Sequence, residues 1–180
     1  MKKIGFRGGA LMHQLGSAND VMSFFYCIEQ FASEGKEQKF DLLLNRFYRN
    51  YLRLGELDIA VNLMDEVHEC FKTVDSKKVE WDTLLLTETS LDTKKAYLSD
   101  VFSRYFLAFN NVVESAQMFY EGYKKYQAVT IIVADIPENL KSKKLPLDEY
   151  DTVIGDPLWV RDANGENPLV FKNGVAYIRQ

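Results

Sequence analysis

The spacing of apolar residues changes character along this chain, and that change limits the possible folds more than any other feature. Up to about residue 126 the apolar side chains recur at helical spacing, and beyond it they fall in short β-branched or alternating runs. Val21, Phe24, Phe25, Ile28 and Phe31 share one stripe of a helix of about four turns, opened by Ser17 and Asp20 and closed at Gly35. Leu57, Ala60, Met64, Val67 and Phe71 make a second stripe after Gly55, with Glu56 and Asp58 at the end where a helix favours negative charge. A third stripe holds Val101, Phe102, Tyr105 and Phe109, with Asp92 as its expected N-cap. Asn110-Asn111 is the expected break before a fourth, which holds Val112, Ala116, Phe119, Tyr120 and Tyr123.

The segment Phe40 to Leu54 fits both periods. Leu43, Leu44, Phe47, Tyr48 and Tyr51 suit a helix, whereas Phe40, Leu42 and Leu44 alternate as a strand does; we favour helix. Lys3 to Phe6 reads as a short strand turned at Gly8-Gly9, and Ala128 to Ala134 as a buried strand. Leu169 to Lys172 and Val175 to Ile178 flank Asn173-Gly174, the pair preferred in a two-residue hairpin turn, and Leu158 to Arg161 is an expected third strand. The pattern predicts an α+β fold: a helix-rich N-terminal two-thirds packed with a small, mainly antiparallel sheet that ends in a C-terminal β-hairpin. No repeat or linker divides it, so a single domain over 1–180 is expected. A chain of 180 residues buries a core without disulfide or metal staples, and 12 Phe, 10 Tyr and 2 Trp predict an aromatic one.

Catalytic signatures are sparse. Gly5, Gly8 and Gly9 cluster as GFRGG, but the Gly-Lys-Ser/Thr ending of a phosphate loop does not follow, so a turn is the simpler use. Asp65, Glu66, His68, Glu69 and Cys70 crowd one turn and a half of helix, yet no second His/Cys pair completes a zinc set. His13 is the only other histidine, and no Gly-x-Ser-x-Gly elbow occurs. Cys27 and Cys70 sit in apolar patterns, where a thiol behaves as a small hydrophobe, and suit a reduced, cytoplasmic compartment. No catalytic residue, metal or cofactor is therefore expected, and neither a signal peptide nor a membrane span is read.

Charge gives the most uneven feature. Lys+Arg 22 against Asp+Glu 26 sets a formal net charge of −4, which disfavours a protein that grips phosphate backbones. Lys77-Lys78, Lys94-Lys95, Lys124-Lys125, Lys141, Lys143 and Lys144 are basic, but Tyr105, Tyr120 and Tyr123, which would have to stack bases beside them, fall on the apolar stripes. Between Leu145 and Glu166 lie Asp148, Glu149, Asp151, Asp156, Asp162 and Glu166 against Arg161 alone, a balance of −5, so the rest of the chain sums to +1. Tyr150 and Trp159 lie among them. Acidic side chains with two aromatics read either as an ordinary solvated loop or as a docking face for a basic protein, with Trp159 or Tyr150 as its anchor.

One stretch carries a resemblance. NRFYRNYLRLGELDIAVNLMDEV, Asn45 to Val67, runs a Phe-Tyr/Tyr-Leu block into Glu-Leu and then Ala-x-x-Leu-Met. With the small acidic α+β build, it resembles bacterial immunity proteins of the contact-dependent growth inhibition or polymorphic-toxin type. The resemblance covers about an eighth of the chain and transfers no site residue. It implies a cytoplasmic, non-catalytic protein that binds the C-terminal domain of one cognate toxin, a basic domain and often a nuclease, and blocks its active site. Asp148, Glu149, Asp151 and Asp156 would then pair with toxin Lys or Arg, with no direct nucleic-acid or membrane contact and an oligomeric state left open. The alternatives are a small soluble enzyme whose site is scattered in sequence and an RNA-associated adaptor.

Overall fold

Ser17 and Asp20 form the reciprocal cap that their spacing predicts. In the computed structural model, which describes residues 3–49, 51–85, 89–119, 129–133, 159–160, 169–172 and 175–178, Asp20 N–H donates to Ser17 Oγ at 3.1 Å. Ser17 N–H donates back to Asp20 Oδ2 at 2.9 Å. The helix they open, α1 (Ala18–Cys27), continues into a wider π-type turn over Ile28–Ala32, in which Ser33 N–H reaches Ile28 O at 2.9 Å. Gly35 follows at φ +70°, a left-handed conformation that glycine adopts without steric cost.

The ambiguous segment resolves into both readings in turn. α2 (Glu37–Asp41) runs on through a π-type stretch, Leu42–Phe47, and helix persists to residue 49. Then Tyr51 and Leu52 form β3 (Tyr51–Leu52) because Thr130 and Val129 stand opposite to pair with them. After Gly55 comes α3 (Leu57–Phe71), which buries Leu57, Ala60, Leu63, Met64, Val67 and Phe71 as its stripe requires.

Two expected boundaries are corrected. Asp92 caps no helix: its carboxylate accepts the Lys94 N–H at 3.3 Å within a turn, and among the described residues beyond the short α4 (Trp81–Leu84) helix resumes at α5 (Leu98–Val101). Nor do Asn110-Asn111 break the chain, since α6 (Ser103–Phe119) runs straight through them. Phe109 and Val112 on either side are both fully buried, and their packing outweighs the modest helix penalty of asparagine.

The sheet has the order β2-β1-β4-β3 with every pair antiparallel: β1 (Ile4–Gly8), β2 (Leu11–Gly16) and β4 (Val129–Val133) join β3. The fold is thus α+β, helix-rich with a small antiparallel sheet. The expected division into helical and strand parts is looser than the sequence suggests, because three of the sheet's four strands precede residue 53. β2 carries no clear alternation and exists because the turn folds it back on β1; that turn is Gly9-Ala10, one residue later than expected, since Gly8 ends β1 paired with Leu11. Trp159 and Val160 are helical, not part of a third strand. β5 (Leu169–Lys172) and β6 (Val175–Ile178) pair antiparallel, Leu169 opposite Ile178 and Lys172 opposite Val175; the turn residues 173–174 lie outside the described residues.

Aromatic rings fill the interior as the composition predicts. Phe24 of α1 lies 4.8 Å from the Tyr105 ring, 5.2 Å from Phe102, 5.6 Å from Phe106 and 6.2 Å from Phe71, joining α1, α3 and α6. Phe6 carries the same cluster onto the sheet, 5.1 Å from Phe47 and 6.0 Å from Tyr105, mostly in the tilted and edge-on geometries that ring quadrupoles favour. Among the described residues no helix is long and apolar enough to cross a membrane.

Candidate functional site

The glycine cluster serves packing. A Cβ at Gly8 would run into the Val112 carbonyl of α6, and one at Gly9, whose φ is +55°, into that of Ser115. Ala10 N–H donates to Ser115 Oγ at 3.1 Å, so the β1–β2 turn lies directly on α6. Small residues are required there so that backbone can meet backbone.

The crowded turn of α3 is dispersed into separate contacts. Glu66 pairs with Lys39 of α2 at 2.6 Å and Glu69 with Lys72 at 2.5 Å, while the His68 ring stacks on Phe106 at 4.3 Å. The hydrogen bond and charge of Lys72 hold the Glu69 carboxyl below its ordinary pKa. Cys70 Sγ–H donates to Phe31 O at 3.3 Å. Among the described residues no three His, Cys, Asp or Glu side chains converge to hold a metal ion. Burial pushes the Cys27 thiol up to about 12 and raises that of Cys70 less, the opposite of what activates a nucleophile.

Of the acidic docking face, Asp148, Glu149, Tyr150, Asp151, Asp156, Asp162 and Glu166 lie outside the described residues. Trp159 is described, and its placement revises the expectation that it anchors a partner. The side chain is 2% exposed, its indole N–H donates to Tyr48 O at 2.7 Å, and its ring meets Tyr48 edge-on at 5.6 Å. Trp159 therefore fastens the chain to itself, as a buried indole does when its one donor finds a carbonyl. Arg46 and Arg49 flank Tyr48 in sequence. Arg46 Nε lies 3.5 Å from Glu56 Oε1 and its guanidinium 5.7 Å from the centre of the Tyr51 ring.

The most concentrated polar site among the described residues is one that sequence reasoning assigned only to capping. Asp20 is fully buried, and beyond its bond from Ser17 N–H its carboxylate accepts Thr89 Oγ1–H at 2.5 Å and Ser90 N–H at 3.1 Å. Ser90 Oγ stands 2.9 Å from both Asp20 Oδ2 and Leu15 O, its single proton shared between them. A Cβ at Gly16 would strike Asp20 Oδ2 and Ser90 Oγ, so glycine is needed where β2 enters the node. Nearby, the Tyr105 hydroxyl is buried with no hydrogen-bond partner among the described residues; desolvation, and then the charge of Asp20, keep the phenol protonated well above its usual range. A buried carboxylate with this many donors has its hydrogen-bonding capacity met and holds structure together. No local signal in the sequence joins Asp20 to residues about seventy positions away.

Compared with known proteins, the chain matches no family model, no curated protein and no solved structure.

Proposed function

We propose that this protein is a non-catalytic inhibitor that binds a basic toxin domain, a nuclease by preference, and occludes its substrate cleft in the manner of an immunity protein. The observation that carries this reading is the segregation of charge: −5 within residues 145–166, while the remainder sums to +1. Concentrated negative charge steers a basic partner to one face and can stand in for the phosphates of a nucleic acid. The attachment of Trp159 to Tyr48 adds a fixed point within that stretch, and a segment tied down before binding loses less freedom on binding.

Co-expression with the protein encoded immediately upstream tests the reading. The expected outcome is a complex that elutes as one species and a rescued culture; no complex and no rescue would sink it and turn attention to enzyme chemistry. A second arm addresses the face itself. The quadruple variant Asp148→Asn, Glu149→Gln, Asp151→Asn, Asp156→Asn is expected to associate at least about tenfold more slowly at low salt, with folding unchanged. If instead the variant unfolds, those carboxylates serve the fold, and the docking face lies elsewhere.

A further inference from the structure

Among the described residues the sheet has an open edge at β2, which stands at one end of the order β2-β1-β4-β3. Leu11–Gly16 holds none of the lysines, acids or prolines with which proteins commonly blunt an edge strand. Arg104 Nη2 donates to Gln14 O at 3.1 Å, which marks that carbonyl as turned away from β1. Inward and outward residues alternate along an antiparallel ladder, so Met12 turns outward with Gln14, while Leu11 and His13 face Gly8 and Phe6 of β1. The register then slips between Ile4 and Gly5, and the regular edge ends there.

α6 runs antiparallel alongside this edge, with Ser115 on Ala10, Asn111 Nδ2 at 3.5 Å from His13 Nε2, and Arg104 on Gln14. Its outer flank carries Leu107 and Met118, 62% and 75% exposed. Arg104 and Glu114 are exposed on the same flank, and neither forms an ion pair among the described residues. We propose that β2 and this flank of α6 are an interface for a second copy of the chain, related by a two-fold axis at His13 that joins the two sheets into one.

Backbone, helix spacing and charge agree on that geometry. In an antiparallel pairing centred on His13, Met12 N–H donates to the partner's Gln14 carbonyl and Gln14 N–H to the partner's Met12 carbonyl, and the symmetry repeats both bonds. The Gln14 oxygen has a second lone pair for this beside the one Arg104 uses. A pairing centred on Met12 needs the Ala10 N–H, which is already given to Ser115 Oγ. Because α6 lies over β1 and β2 alike, two strand spacings of about 4.8 Å separate it from the partner's α6, close to the distance at which helices pack. An axis beside Asn111 sets Arg104 within about one helical turn of the partner's Glu114, and Leu107 within about one turn of the partner's Met118. Opposite charges and apolar side chains thus face their own kind of partner.

Sedimentation of the full chain across a concentration series, with amide exchange read residue by residue by NMR, tests this. The wild type is expected to be a dimer at about 100 μM, a concentration suited to a small interface. The Met12 and Gln14 amides should gain at least about tenfold protection from dilute to concentrated solution, whereas those of Leu11 and His13, held by β1, should not change. Arg104→Glu should weaken association by about tenfold or more, and Arg104→Glu/Glu114→Arg should restore it to within about threefold, which a merely structural role for either side chain would not produce. A chain that stays monomeric throughout the series overturns the proposal. So does a dimer whose Met12 and Gln14 amides gain no protection, or a charge swap that restores nothing. Protection of those amides only on adding a different protein would overturn it as well, by giving the edge to that protein.

Discussion

Phe24 and Ser90 mark two ways of holding a chain. Around Phe24, rings from α1, α3 and α6 meet at 4.8–6.2 Å, and the stabilisation is spread over many weak contacts, each shared with a neighbour. Around Ser90 the attachment rests on a few polar atoms aimed at one carboxylate. Damage to the ring cluster should consequently be felt throughout the body, and damage at Ser90 mainly at its own attachment. The largest effect follows from the first half of that contrast. Phe24→Ala removes a ring with no solvent exposure and should cost about 3–5 kcal/mol, a large share of a typical domain's stability. Urea titration followed by circular dichroism would measure it. A cost under about 1 kcal/mol would mean the body is not organised around that ring.

A titration probes the same interior without changing its shape. The Cys27 thiol is raised from 9.0 to about 12 by burial, so the folded state keeps a proton that the unfolded chain releases. Above pH 9 the unfolded state binds fewer protons than the folded one, and stability falls as pH rises, up to about 1.4 kcal/mol per pH unit, until the folded thiol itself ionises near 12. Below pH 9 this contribution is fully present. Urea midpoints at pH 8, 9.5 and 10.5 should decline less steeply in Cys27→Ala than in the wild type. Equal slopes would show that the interior around α1 admits water.

The contrast also explains what was legible. The stripes of α1 and α3, the cap at Ser17 and the strand at Val129–Val133 could be read because each is written in neighbouring residues whose spacing matches one period. β2 could not, since Leu11–Gly16 becomes a strand only through pairing with β1, and the helix end expected at Asn110-Asn111 was overridden by packing on both sides of it. The polar node was hidden for the same reason in stronger form: Asp20 looks like an ordinary capping residue, and Thr89 and Ser90 like loop residues, until the fold joins them. Trp159, read as a surface anchor from its acidic neighbours, is held by a carbonyl over a hundred residues away. Sequence spacing reports local periods well, and long-range polar partners hardly at all.

The smallest expected effect sharpens what kind of polar contact matters. Lys39 Nζ stands 2.6 Å from Glu66 Oε2 and joins α2 to α3, a geometry no worse than that of the contacts on Asp20. Both side chains are nearly half exposed, at 48% and 47%, so water competes for each charge and ordering two long side chains offsets much of the attraction. A double-mutant cycle of Lys39→Ala and Glu66→Ala should therefore return a coupling below about 0.5 kcal/mol, shrinking further in salt. Asp20 differs in having no exposed surface, so each donor removed leaves part of a charge without solvent. If the Lys39–Glu66 coupling exceeded about 1 kcal/mol, exposed polar contacts would rival those at Asp20, and burial would no longer be what separates the two.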